Sequence, residues 1–173
     1  MTDRSITHAR VWRLGADVDT DALAPGAFMK HGLEVIGWHC LEAVRSDFAP
    51  GVREGDVIVA GANFGIGSSR EQAAGVLRHL GLRAVIAPSF SGLYFRNAFN
   101  LGLLLLTCPE AEQIEEGERV GVVFEGDVPT VLRGQGQGQG QGPGLACAPI
   151  PDFLMNMVDA GGLLPLLKQR KTA

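Results

Sequence analysis

Gly61-Ala62-Asn63-Phe64-Gly65-Ile66-Gly67-Ser68-Ser69-Arg70-Glu71-Gln72 decides how the rest of the chain is read. The mostly apolar run before it, Asp56-Val57-Ile58-Val59-Ala60, reads as a short strand. After it, Ala73, Val76, Leu77 and Leu80 fall on one face of a helix reaching about Leu80. Three glycines within seven residues let the backbone turn tightly and approach a ligand without a Cβ in the way. Ser68 with Glu71, or Ser69 with Gln72, fits a capping box, in which the hydroxyl takes a free backbone N–H at the helix start. The remaining free N–H groups and the positive end of the helix dipole favour an anion. Arg70 adds a forked cation suited to a carboxylate or a phosphate. The plainer alternative is an ordinary strand, turn and capped helix.

Working outward, the downstream chain repeats the strand–helix pattern. Gly81 ends the first helix, residues 83–88 read as a second buried strand, and Ser89 or Ser91 starts a helix through Asn100 with Leu93, Phe95 and Phe99 inward. Residues 103–106 are a third strand, and the alternation predicts parallel crossovers. Residues 118–124 and 128–132, around Gly126-Asp127, read as an antiparallel pair. Upstream, residues 9–14 form a strand and residues 15–25 a loop. Its Asp17, Asp19 and Asp21 alternate as in a calcium loop, but the glycine and distant glutamate of that motif are missing, so Asx-turn anchoring is preferred. Residues 26–36 read as loop and 38–45 as a short helix. The strict Gly-Gln alternation over 134–142 reads as a flexible linker. A helix over 151–160, with Phe153, Met157 and Leu154 inward, and a last turn over 163–168 complete the chain.

A chain of 173 residues is long enough for one domain with a substantial core. A net charge of −4 without any basic run argues against nucleic acid as a partner. Cys40, Cys108 and Cys147 are an odd number without C-x-x-C spacing, which gives neither a disulfide framework nor a metal site by arithmetic. No apolar segment follows the first residues as in a secretory signal, and the longest apolar runs, such as 103–106, are far below membrane-spanning length. A cytoplasmic protein is expected. His8, His39, His79, Glu34 and Glu42 have no spacing that suggests acid–base pairs and are read as structural.

Asn63-Phe64-Gly65-x-Gly67-Ser68-Ser69-Arg70-Glu71 resembles the signature of the aconitase swivelling domain. That domain also occurs as a separate chain, the small subunit of the 3-isopropylmalate dehydratase and homoaconitase family. The Asp17-Val18-Asp19-Thr20-Asp21 loop with its Pro25, and the tail with Pro151, Phe153 and Gly161-Gly162-Leu163, resemble the same family in the same order. The resemblance implies an α/β swivelling domain over residues 1–173. Its sheet or barrel would be partly open, mixed and mainly parallel, flanked by helices, and interrupted by the Gly-Gln insertion at 134–144. It implies a hydro-lyase that moves a hydroxyl between adjacent carbons of a 2-hydroxy acid by dehydration and rehydration. The abundance of that member favours 2-isopropylmalate as substrate, with homoaconitase or another substituted-malate dehydratase as the alternative. The Lewis acid of the family is a [4Fe-4S] cluster, and the scattered cysteines here lack the spacing to hold it. The cluster is therefore expected in a large partner subunit, in a heterodimer or heterotetramer, with no metal or cofactor in this chain.

Carried over residue by residue, the resemblance makes Ser68 the catalytic base, Ser69 and Arg70 substrate-binding, and Lys30 and His31 part of the segment that meets the substrate's distal group. Two departures stand out. Gln72 replaces the histidine that usually follows Arg-Glu, and Ala27 stands where the family's Pro-x-Arg-Tyr-Leu element has its arginine. An apolar residue at position 30 would suit an isopropyl group and a cation an extra carboxylate; a lysine beside Phe28 and Met29 suits either, or simply solvent. Two other classes remain open. A nucleotide- or phosphate-binding module is disfavoured because Arg70 stands where G-x-G-x-x-G needs glycine. A non-catalytic regulatory subunit would accommodate both departures.

Overall fold

The computed structural model describes residues 3–136, 140 and 142–172. The chain opens with β1 (Ile6–Arg13), followed by three short helices, α1 (Thr20–Leu23), α2 (Gly32–His39) and α3 (Phe48–Gly51). Then β2 (Val57–Val59), α4 (Gln72–His79), β3 (Ala84–Ala87), α5 (Gly92–Asn100) and β4 (Leu104–Thr107) alternate. An antiparallel run of β5 (Arg119–Glu125), β6 (Val128–Leu132) and β7 (Leu145–Ala146) leads into α6 (Asp152–Ala160) and α7 (Leu163–Thr172).

All seven strands form one mixed sheet in the order β4-β3-β2-β1-β5-β6-β7. The pairings from β1 through β2 and β3 to β4 are parallel, and those from β1 through β5 and β6 to β7 are antiparallel. β2 and β3 are continuous apolar runs because they are buried on both faces. β1 sits where the two halves meet, and a register shift between Ile6 and Ala9 carries His8 at a φ of 52°. The sheet curls far enough for the Ala148 N–H beyond β7 to reach the Thr107 carbonyl of β4, at 2.8 Å.

Beside β1, the buried carboxylate of Asp56 is an electrostatic anchor. It accepts from Arg10 Nη2 at 2.6 Å, Trp12 Nε1 at 2.8 Å and the Arg53 N–H at 2.9 Å. Burial alone pushes this carboxyl up, but the Arg10, Trp12 and Arg53 hydrogen bonds outweigh it and hold it below the ordinary carboxylate range.

Several elements differ from the sequence expectation, each for a tertiary reason. The helix expected over 38–45 is instead α2, with part of the supposed loop wound into it, because Leu33 and Gly37 meet α4 and Ile36 is buried in the core. It stops where Leu41 turns left-handed, at a φ of 61°, and gives its N–H to the Ala22 carbonyl at 2.8 Å. In α5, Tyr94 is buried and Leu93 exposed; in α6, Met155 is buried and Phe153 exposed. The last turn is a full helix, α7. Part of the Gly-Gln tract, residues 137–139 and 141, lies outside the described residues. Its start is not a free linker: Gly134 is buried, and Gln135 gives its N–H to the Arg119 carbonyl at 2.9 Å.

Candidate active site

The glycine-rich stretch lies beyond the C-terminal end of β2, between the loops that follow β1 and β3. On one side it pairs with the aspartate loop: Asp17 N–H to Ala62 O at 2.8 Å, Gly65 N–H to Val18 O at 2.7 Å, and Thr20 N–H to Ile66 O at 2.8 Å. On the other, Phe64 exchanges bonds with Ser89 and Ser91, at 3.1 and 2.9 Å. Three loops at the carboxyl ends of neighbouring parallel strands are thereby laced together, the usual position of a ligand site on such a sheet.

Two of the glycines are required by this lacing. Gly65 has a φ of 82°, and a Cβ there would be driven into the ring of Tyr94, while a Cβ at Gly67, φ 110°, would stand 2.9 Å from Thr20 Oγ1. Asp17 and Asn63 also take left-handed φ values, 58° and 61°, and join through Asn63 Nδ2 to Asp17 Oδ1 at 3.0 Å. Asp and Asn are the side chains that tolerate this conformation best. The Tyr94 hydroxyl donates to the Ala73 carbonyl at 3.1 Å, and burial pushes its phenol well above the ordinary value, so it stays a donor.

The capping-box expectation fails. α4 begins only at Gln72, and neither Ser68 nor Ser69 caps it, because Ser68 is held elsewhere: its N–H goes to Thr20 Oγ1 at 3.0 Å. The Ala74 and Gly75 N–H groups instead bond the Glu71 carbonyl, at 3.0 and 2.8 Å. The same tether places Ser68 Oγ 3.2 Å from Thr20 Oγ1, and Arg70 Nε donates to Ser68 Oγ at 2.7 Å. Thr20 Oγ1 already accepts the Ser68 N–H, so its own O–H is free to turn toward Ser68 Oγ. Arg70 Nε thus donates to one exposed serine oxygen, and the Thr20 hydroxyl stands within hydrogen-bond distance as a second available donor.

Arg70 is itself fixed. Nη1 donates to Asp21 Oδ1 at 3.1 Å and to the Ala24 carbonyl at 2.9 Å. Asp21 Oδ1 also accepts the Gly26 N–H at 2.9 Å, and Asp19 caps α1 by accepting from Ala22 N–H at 2.7 Å. The three alternating aspartates therefore diverge to three different partners, and Asx-type anchoring is the right account of Asp19. Thr20 and Asp21 are the residues to which the sequence reading gave no role beside Ser68 and Arg70; their signal was the position of that loop within the family-like segment.

The other candidates are placed as follows. Ser69 is exposed, and its carbonyl accepts from the buried Asn97 Nδ2 at 2.9 Å. Lys30 and His31 are exposed at the end of the segment that starts at Gly26, and neither side chain is hydrogen-bonded to Ser68 or Arg70. That segment is anchored at both ends, by Gly26 on Asp21 and by Phe28 stacked on His39 with ring centroids 3.6 Å apart. Gln72 opens α4, half-buried. Among the described residues, no three His, Cys, Asp or Glu side chains gather as a metal-holding group, and Cys40 lies apart from Cys108 and Cys147, so the cysteines do not fit a three-thiolate cluster site. No helix among the described residues is long and apolar enough to cross a membrane.

Residues 48–111 match the model of the aconitase C-terminal domain. The chain is 40% identical to the 3-isopropylmalate dehydratase small subunit of Methanosarcina acetivorans, over 90% of this chain and 92% of that one. It is 38% identical to the methanogen homoaconitase small subunit of Methanothermobacter thermautotrophicus, over 92% and 89%. A crystal structure of 3-isopropylmalate dehydratase from Methanocaldococcus jannaschii superposes with a TM-score of 0.84 at 34% identity, covering 95% of this chain and 94% of that one.

Proposed function

Because this chain belongs to the aconitase-type family of 3-isopropylmalate dehydratase and homoaconitase small subunits, we propose that it supplies the proton-transfer half of a two-subunit hydro-lyase acting on a 2-hydroxy acid. The substrate pair we favour is 2-isopropylmalate and 3-isopropylmalate, with a homoaconitate-type tricarboxylate as the second reading. The observation that carries the proposal is the convergence of Arg70 Nε and the Thr20 hydroxyl on Ser68 Oγ.

A serine hydroxyl is far too weak an acid to be ionised at neutral pH. Donors already aimed at its oxygen stabilise negative charge there without reorganisation. In this reading Ser68 takes the carbon-bound proton during dehydration and returns it to the neighbouring carbon's face during rehydration. Arg70 Nη2, which has no protein partner among the described residues, meets a substrate carboxylate, and Ser69 adds a hydroxyl beside it. Lys30 and His31 face the substrate's distal group. Ser68 is exposed rather than sunk in this chain, which supports a site completed by another subunit. The departing hydroxyl needs a Lewis acid; in this reading the [4Fe-4S] cluster of a large partner subunit supplies it. All of this is assigned to the cytoplasm, with residues 1–173 acting as one unit.

The test is co-expression with a cluster-bearing large subunit and assay on both acids. Turnover of 2-isopropylmalate by the complex, and by neither subunit alone, is the expected outcome. Preference for homoaconitate would replace the substrate, and selective loss of that activity in Lys30→Leu would assign Lys30 to its extra carboxylate. A stable but inactive complex would make the chain regulatory.

A further inference from the structure

The sheet's two outer edges meet through the bond from the Ala148 N–H to the Thr107 carbonyl. Strand directions fix the sense of this meeting. β4 runs with β1, whereas β7 runs against it, so β4 and the β7 end are antiparallel to each other. In antiparallel geometry the single bond from Ala148 to Thr107 brings the next residues, Cys108 and Cys147, to facing positions across the seam. Their own N–H groups agree with that placement: Cys108 gives its N–H to Ala87 O and Cys147 to Pro129 O, both at 2.9 Å and both away from the shared seam. Opposed residues of this kind have Cα atoms about 4.5 Å apart, within the disulfide range. Both cysteines are buried and free, and each is the neighbour that perturbs the other's thiol. The contact is unequal. It pulls the Cys108 thiol below an ordinary thiol and, with burial, pushes Cys147 up.

We infer that Cys108 and Cys147 form an oxidisable thiol pair, which a hydroperoxide converts into an intrachain disulfide that covalently closes the seven-strand sheet. The Cys108 thiolate attacks the peroxide; the O–O bond breaks, leaving a sulfenic acid on Cys108 and, after protonation, one water. The Cys147 sulfur then attacks the Cys108 sulfur; the S–O bond breaks and a second water leaves with the Cys147 proton. Two thiols lose two electrons in total, and one hydrogen peroxide becomes two waters. The inference needs no assumption about the substrate or the large subunit.

The experiment treats the purified chain with hydrogen peroxide, blocks remaining thiols, and maps unreduced peptides by mass spectrometry. A peptide joining Cys108 to Cys147, lighter by two hydrogens and lost on reduction, is expected, with Cys40 still a thiol. In Cys147→Ser the sulfenic acid on Cys108 has no partner and is captured by dimedone. The inference is overturned if Cys108 goes to sulfinic acid while Cys147 stays a thiol, if disulfides form only between chains, or if both thiols survive peroxide that oxidises them in the urea-unfolded chain. Absence of a dimedone adduct in Cys147→Ser would overturn the order of steps.

Discussion

At Ser68, a side chain with no intrinsic basicity is surrounded by groups whose only common target is its oxygen. The tether begins with a backbone atom, the Ser68 N–H on Thr20 Oγ1, so Thr20 orients the serine and keeps its own hydroxyl within reach of Ser68 Oγ. Ser68→Ala should leave the fold intact, since the residue is exposed, and lower kcat of the reconstituted complex by roughly 10²–10⁴-fold. Thr20→Val removes one donor and keeps the shape; kcat should fall by about 10-fold or more with KM little changed, the pattern of an interaction made in the transition state. Arg70→Lys cannot serve Ser68, Asp21 and the Ala24 carbonyl together, so it should raise KM as well as lower kcat. Steady-state kinetics on the three variants separate these cases. Ser68, Ser69 and Arg70 were legible because they stand together in the motif. Of the partners that fix them, Thr20 and Asp21 were marked only by the family-like loop they stand in, and Asn97 by nothing, because these contacts are made only by folding.

At the scale of elements, the core strands were readable and the helix ends were not. Residues 57–59, 84–87 and 104–106 are apolar throughout, which leaves no register to decide and makes them visible in the sequence. α2 and the late start of α4 depend on contacts: Leu33 packs on Gly75, and Ser68 is drawn to α1 before a helix can wind. Phe153 and Leu93 show the same limit, since a helix with apolar residues on more than one side does not reveal which side meets the sheet. Gly65→Ala combines a left-handed φ with a collision against Tyr94, and should lower stability by about 3 kcal/mol, read as a shifted urea midpoint. Asp56, at the mouth of β2, sets a pH dependence. Its carboxyl lies below its unfolded value, so its stabilisation is complete above the unfolded pKa and fades as pH falls below about 4. Asp56→Asn should therefore be less stable than the native chain by roughly 2–3 kcal/mol at pH 7, and the gap should narrow in urea titrations at pH 3.

At the scale of the whole molecule, β1 decides the order in which the sheet can exist. It is the first strand in the chain, yet it is flanked by β2, where Val11 meets Val57, and by β5, where Ile6 meets Val122. As the protein leaves the ribosome, the parallel half can assemble early, but one edge of β1 stays open until β5, Arg119–Glu125, has been made. Such distant pairing makes folding slow, and an unfilled edge lined by buried-type residues such as Ile6 and Ala9 invites pairing with another nascent chain. A ribosome-stalled or truncated product ending before Arg119 should aggregate or bind chaperones, whereas one extending past Leu132 should be protected, as pulse proteolysis of the two lengths would report. The junction strand that joins the two halves of the finished sheet is thus also the point of greatest exposure during its synthesis.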